Sequence, residues 1–162
     1  MTFSTIHVSN SILKRSFEND VYISPMKLQR ILYFVANEYV KQTGKNLFDE
    51  SFGAWQYGPV LRSVYDKFST FGDRNINKYG KDANGQGYCV DESKNRVLKT
   101  ILDSVLAKTQ PVSAVTLSRI SILPCSAWNT AYVMGYEYIR DEDFVRDFSY
   151  YHMLGFSQDM LV

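Results

Sequence analysis

The sequence predicts a mainly α fold: a single compact domain of about six or seven helices with at most a small two-stranded β element. Three observations carry this. Apolar residues recur at helical spacing in most segments, Ser and Asp sit where helices should be capped, and Gly or Pro closes nearly every segment. The 162 residues suit one domain over 1–162.

Residues 4 to 17 space Ile6, Val8, Ile12 and Leu13 as the inner positions of a first helix. The second is the best marked, with Ser24 as N-cap, Pro25 in the first turn and Gly44 as the stop. On it Leu28, Ile31, Leu32, Val35 and Tyr39 form one stripe that Tyr33, Ala36 and Val40 widen. Lys27, Arg30, Glu38 and Lys41 fall on the opposite side and read as a solvated face. Phe34 lies in the middle of that charged strip, so either a later segment covers it or it belongs to a partner surface.

Residues 47 to 57 alternate as a short strand would, Gly58 breaks it, and Pro59 is placed to open a third helix through Val60, Leu61, Val64, Tyr65, Phe68 and Phe71. From Gly72 to Gly87 the composition is that of a surface loop. Tyr88 to Val90 suggests a strand pairing with the one near Trp55. Asp91 reads as the cap of a helix bearing Val97, Leu98, Ile101, Leu102 and Val105. Ser113 caps another, carrying Val115, Leu117 and Ile120 inward; a short helix around Trp128 and Tyr132 ends at Gly135. Asp141 is placed to cap a last helix with Phe144, Val145, Phe148 and Tyr151, before a tail reaching Met160, Leu161 and Val162.

Composition excludes several function classes. A net charge of +1 gives little long-range attraction to phosphate, so nucleic acid is the weaker candidate partner. Cys89 and Cys125 are too few and too far apart for a zinc site or a disulfide framework. Met1 to Asn10 lacks the order of a secretory leader and no stretch approaches a membrane span, so the expectation is a cytoplasmic chain without a membrane partner.

Catalytic signals are sparse. His7 and His152 have no metal-ligand spacing around them, no serine stands in an elbow motif, and residues 84 to 87, Asn-Gly-Gln-Gly, lack the Lys-Ser/Thr ending of a phosphate loop. The acidic run at Asp141 to Asp143 reads as a helix start. No catalytic residue, metal ligand or cofactor is assigned, and the expectation is a binding protein, not an enzyme. The aromatic excess, twelve Tyr, ten Phe and two Trp, suits either a Tyr-rich core or interface hot spots.

Two blocks go beyond pattern: residues 24 to 34, Ser-Pro-Met-Lys-Leu-Gln-Arg-Ile-Leu-Tyr-Phe, and residues 54 to 60, Ala-Trp-Gln-Tyr-Gly-Pro-Val, with Gly-Lys-Asn-Leu-Phe-Asp-Glu from Gly44 between them. The sequence resembles the Panacea antitoxin domain, also described as the SocA-like or phage-associated protein family. In that family's pattern Lys27, Leu28, Gln29 and Tyr33 match the second helix, and Trp55, Tyr57, Gly58 and Pro59 match the turn into the third. Leu117-Ser118, Trp128 and the segment from Asp141 to Phe148 come in the family's order. The chain departs where the family often has Thr-His before Pro-Trp: Ser121 and Ile122 stand there, and Pro124 is separated from Trp128.

The resemblance implies an antitoxin encoded beside its toxin, often on phage or mobile elements, that neutralises the cognate toxin by direct contact. It also admits an adaptor that presents the toxin to a cytosolic protease. The alternative of another class is a phage or mobile-element regulator touching nucleic acid. Trp55, Tyr57 and Phe34 are the candidate partner-binding residues. The same Trp55 turn also reads as scaffold, with Gly58 taking the turn and Pro59 fixing the helix start.

Overall fold

The computed structural model describes residues 1–157. Eight α-helices are found among them: α1 (Thr5–Glu18), α2 (Pro25–Thr43), α3 (Arg62–Phe68), α4 (Arg96–Thr109), α5 (Ala114–Ser121), α6 (Ala127–Met134), α7 (Asp141–Phe144) and α8 (Tyr151–Leu154). The β element is one antiparallel pair, β1 (Gly53–Trp55) and β2 (Gly58–Val60), with Ala54 opposite Pro59. The fold is mainly α, as the periodicity predicts. None of the described helices is long and apolar enough to cross a membrane.

The caps explain the helix ends. Ser4, Ser24, Ser113 and Ser126 each accept a backbone N–H from the first turn of α1, α2, α5 and α6. Gly44 and Gly135 close α2 and α6 in the left-handed conformation that residues with a Cβ avoid.

Helix α2 is the axis of the molecule. It packs against α1, α3, α4, α5, α7 and β2, and every residue from Leu28 to Val40 is buried. The expected solvated strip is therefore corrected: Arg30 and Glu38 are both 4% exposed, because helices close on α2 from all sides. A helix enclosed this way keeps polar residues only where each finds a partner. Gln29 and Arg30 bond to the segment around β2, and Glu38 takes the hydroxyls of Tyr150 and Tyr151. Phe34, expected on an exposed face, is fully buried with its ring 4.9 Å from that of Tyr150. It is a core residue covered by the carboxy-terminal segment and offers no surface to a partner.

Further expectations are corrected in the connections. Gly58 does not end the β element but begins β2, which folds straight back on β1; Tyr88 to Val90 is not a strand. Pro59 lies in β2, so α3 starts only at Arg62, with Leu61 in the N-cap position. The helix foreseen after Asp91 begins at Arg96 behind Asn95, while the Asp91 carboxylate instead accepts the N–H of Ser93 in a tight turn. Likewise the last apolar set is split between α7 and α8, and Arg140, not Asp141, occupies the α7 N-cap position. Met160, Leu161 and Val162 lie outside the described residues.

The segment from Gly72 to Val90 is a loop, yet it is fastened to α1. The Asn10 side chain accepts the N–H of Gly80 at 2.8 Å and donates to the carbonyls of Gly80 and Tyr88, both at 2.9 Å. Ile76 is fully buried, and its N–H reaches the carbonyl of Ile23. His7 Nε2 and Asp82 Oδ2 stand 2.8 Å apart, so the amino-terminal histidine faces a carboxylate.

Candidate functional site

The hairpin formed by β1 and β2 is built from both outer edges. On the β1 side, Ala54 N–H donates to the carbonyl of Glu137, and Ile139 N–H to that of Phe52. On the β2 side the Arg30 guanidinium stands in for a strand: Nη2 donates to the Tyr57 carbonyl at 3.1 Å and Nη1 to that of Pro59 at 2.5 Å, while Nε donates to Ser118 Oγ at 2.9 Å. Pro59 has no N–H to leave unpaired on that edge. Both edges are thus occupied, and the hairpin is not a free template for another strand.

Gly58 makes this fit possible. Its φ is +137°, and a Cβ placed there would come within 2.7 Å of the Arg30 Cζ. Only glycine lets the backbone lie against the guanidinium. One residue earlier on α2, Gln29 completes the arrangement: Nε2 donates to the Leu61 carbonyl at 3.0 Å and Oε1 accepts the Leu61 N–H at 2.9 Å. Burial draws the Arg30 guanidinium down from its ordinary range to about 10.

A second set of contacts ties the hairpin to α6. Trp128, 5% exposed, donates its indole Nε1–H to the Trp55 carbonyl at 2.8 Å and stacks on Tyr132. The backbone N–H of Trp128 donates to the Tyr33 hydroxyl, which in turn donates to Asp147. Asp147 also accepts the N–H of Ala127, so a buried carboxylate sits at the amino end of α6 where the helix dipole favours it. Burial, with the Asp147 charge next, holds the Tyr33 phenol well above its usual range.

The scaffold presents a surface. Tyr57 is 76% exposed and Trp55 38%, with the Trp55 ring against Tyr65 and under the Arg62 guanidinium. Between these rings and the first turn of α2 lies a groove of about 370 Å³, walled by Met26, Trp55, Tyr57 and Tyr65 with Arg30 and Gly58 in its floor. Beyond Trp55 a wider cleft holds Glu50, Asp66 and Glu137 beside Arg62.

The sequence blocks of 24–34 and 54–60 thus meet in space, and the bonds from Gln29 and Arg30 are what join them. The sequence matches the family described as antitoxin SocA-like, Panacea domain, over residues 28–129. The chain belongs to this family. The matched span contains α2 from Leu28 onward, the hairpin and Trp128, so it takes in most of the groove's lining but not Pro25 and Met26 at the amino end of α2. A curated relative, antitoxin SocA of Caulobacter vibrioides (strain NA1000 / CB15N), is 36% identical over 69 residues. That stretch is 43% of this chain and 37% of the relative. No solved structure matches.

Within this Panacea member the motif residues separate into two groups. Leu28, Gln29, Tyr33, Gly58 and Trp128 are buried; Gln29 bonds to Leu61 just after β2, Trp128 bonds to Trp55 in β1, and Tyr33 in turn bonds to Trp128. Lys27, half-buried, donates to the Gln110 carbonyl at 2.8 Å. Pro59 lies in the strand and gives its carbonyl to Arg30. Trp55 and Tyr57 alone of the motif residues on the hairpin turn large aromatic surface outward. The sequence reading missed Arg30, Ser118 and Asp147 as members of the site. Arg30 was hidden by its place on an apparent charged face; Ser118 and Asp147 fall within segments that follow the family's order, but nothing local marks them as bonding partners, and the tertiary fold recruits them. Among the described residues no group of three or more His, Cys, Asp or Glu side chains is arranged to hold a metal.

Proposed function

We propose that this Panacea protein is an antitoxin that neutralises a cognate toxin by direct contact, and that Trp55 and Tyr57 lie at the centre of that contact. Family membership supports the antitoxin reading. The observation that supports the surface is the 76% exposure of Tyr57 on a hairpin held at both edges, since a rigid exposed aromatic binds with little ordering cost. The role is one of binding, not catalysis.

The test is co-expression with the neighbouring open reading frame. Growth arrest by that product should be relieved by the wild-type chain, and Tyr57→Ser should weaken the complex by about tenfold or more while leaving the melting temperature within about a degree. Arrest that the wild type does not relieve defeats the antitoxin reading. Unchanged affinity of Tyr57→Ser removes the hairpin from the interface. Toxin levels followed in the same cells separate blockade, in which the toxin persists, from delivery to a cytosolic protease, in which it disappears.

A further inference from the structure

The groove beside Tyr57 has charge of one sign. None of its lining residues is acidic. Arg30 is a buried cation, and its donors go to a hydroxyl and two carbonyls, all neutral. No carboxylate among the described residues comes within ion-pair distance of it. The groove also takes in Pro25 and Met26, the amino end of the 19-residue helix α2, whose dipole is positive there. A desolvated guanidinium without a counter-ion is unfavourable, and an anion brought to the groove would offset part of that cost. The walls set the rest of the requirement, because Met26, Trp55 and Tyr65 are large, apolar and each more than a third exposed.

We propose that the groove receives an acidic residue flanked by a large apolar one on an extended segment of the toxin. Its carboxylate lies toward Arg30 and the amino end of α2, and its apolar neighbour packs on Trp55, Tyr57 and Tyr65. This rests on the antitoxin reading and adds the chemistry of the partner. A peptide carboxylate fits better than the phosphates of a nucleic acid strand. A strand carries a charge at every step and needs a track of cations. Past Trp55 it would meet Glu50, Asp66 and Glu137 with only Arg62, itself bonded to Asp66, to offset them.

The probes are the acetylated peptide amide Gly-Glu-Phe-Gly, its Gly-Gln-Phe-Gly twin, and an oligothymidylate of about eight nucleotides. Each is titrated into the full chain labelled with nitrogen-15. The readout is the Trp55 indole N–H, assigned with Trp55→Phe. The Glu peptide should shift this signal saturably and bind about tenfold tighter than the Gln twin. Met26→Glu, at an exposed position on the lip, should erase the preference. Equal affinities, no shift with either peptide, or tighter binding of the oligothymidylate would each overturn the proposal.

The growth assay separates the two claims. If Met26→Glu relieves arrest as well as the wild type does, the groove is not the toxin site although the antitoxin reading stands. If the wild type gives no relief, that reading falls, and the peptide titration still decides the chemistry of the groove.

Discussion

Lys41 shows how a single charged residue is tolerated at the edge of the core. Its ammonium lies over the rings of Phe148, Tyr150 and Tyr151, at 5.3, 5.1 and 5.7 Å from their centroids, and donates to the Tyr150 hydroxyl. Burial pushes its pKa from 10.5 down to about 8, against the opposing pull of Asp147 and Glu38. The folded state therefore binds fewer protons than the unfolded chain between about pH 8 and the ordinary lysine value. Stability attributable to Lys41 rises through that window and is lost as pH falls back through 8. Denaturant unfolding of the wild type and Lys41→Met, compared at pH 7.5 and at about pH 9.5, should show the wild type gaining on the variant at the higher pH. A constant difference would mean that Lys41 is not desolvated. The upper limit matters: burial raises the Tyr150 and Tyr151 phenols, so their unfolded forms begin to release protons near pH 10 and favour unfolding.

At the scale of the element, the hairpin is a dependent structure. Two strands of three residues do not stand alone in water. What holds them is Arg30 and Gln29 from α2, Trp128 from α6 and the backbone of Glu137 and Ile139. Gly58→Ala tests this directly. The substitution combines a strained φ with a Cβ driven into the guanidinium, and should cost about 1–3 kcal/mol in urea unfolding. Hydrogen exchange should quicken at Ala54, whose N–H bonds to Glu137, before it does in α4. Unaltered stability would show that Arg30 yields its place without cost. The elements themselves were legible to different degrees. Ser24, Pro25 and Gly44 delimit α2 within the chain because capping is local chemistry. The hairpin was not, since Gly58 and Pro59 look like a strand end and a helix start unless the edge partner supplied by Arg30 is known.

At the scale of the molecule, one apolar core runs from α1 to Phe156, and the long loop is attached to it by side chains instead of strands. Asn10→Ala should therefore free the 80–90 segment without unfolding the rest. Removal of the clamp leaves the Gly80 N–H and two carbonyls without their partner, a loss of about 1–3 kcal/mol. Limited proteolysis near Asn84 should speed up while α2 keeps its exchange protection. Simultaneous loss of protection in both would show that the loop is part of the cooperative core.

By itself the sequence determined the helical class, the span and caps of α2, the inner face of α1 and, apart from the exposed Val97, that of α4, and the two motif blocks that mark the family. These depend on periodicity and on interactions within a turn or two of chain. Only the tertiary structure decided that Arg30 and Glu38 lie inside, that Phe34 is covered by Tyr150, and that Trp55 and Tyr57 stand outward beside a groove lined in part by Arg30. A helix sequence records which residues share a face. It does not record how many neighbours will close around that helix, and burial of a charged side chain is settled by those neighbours.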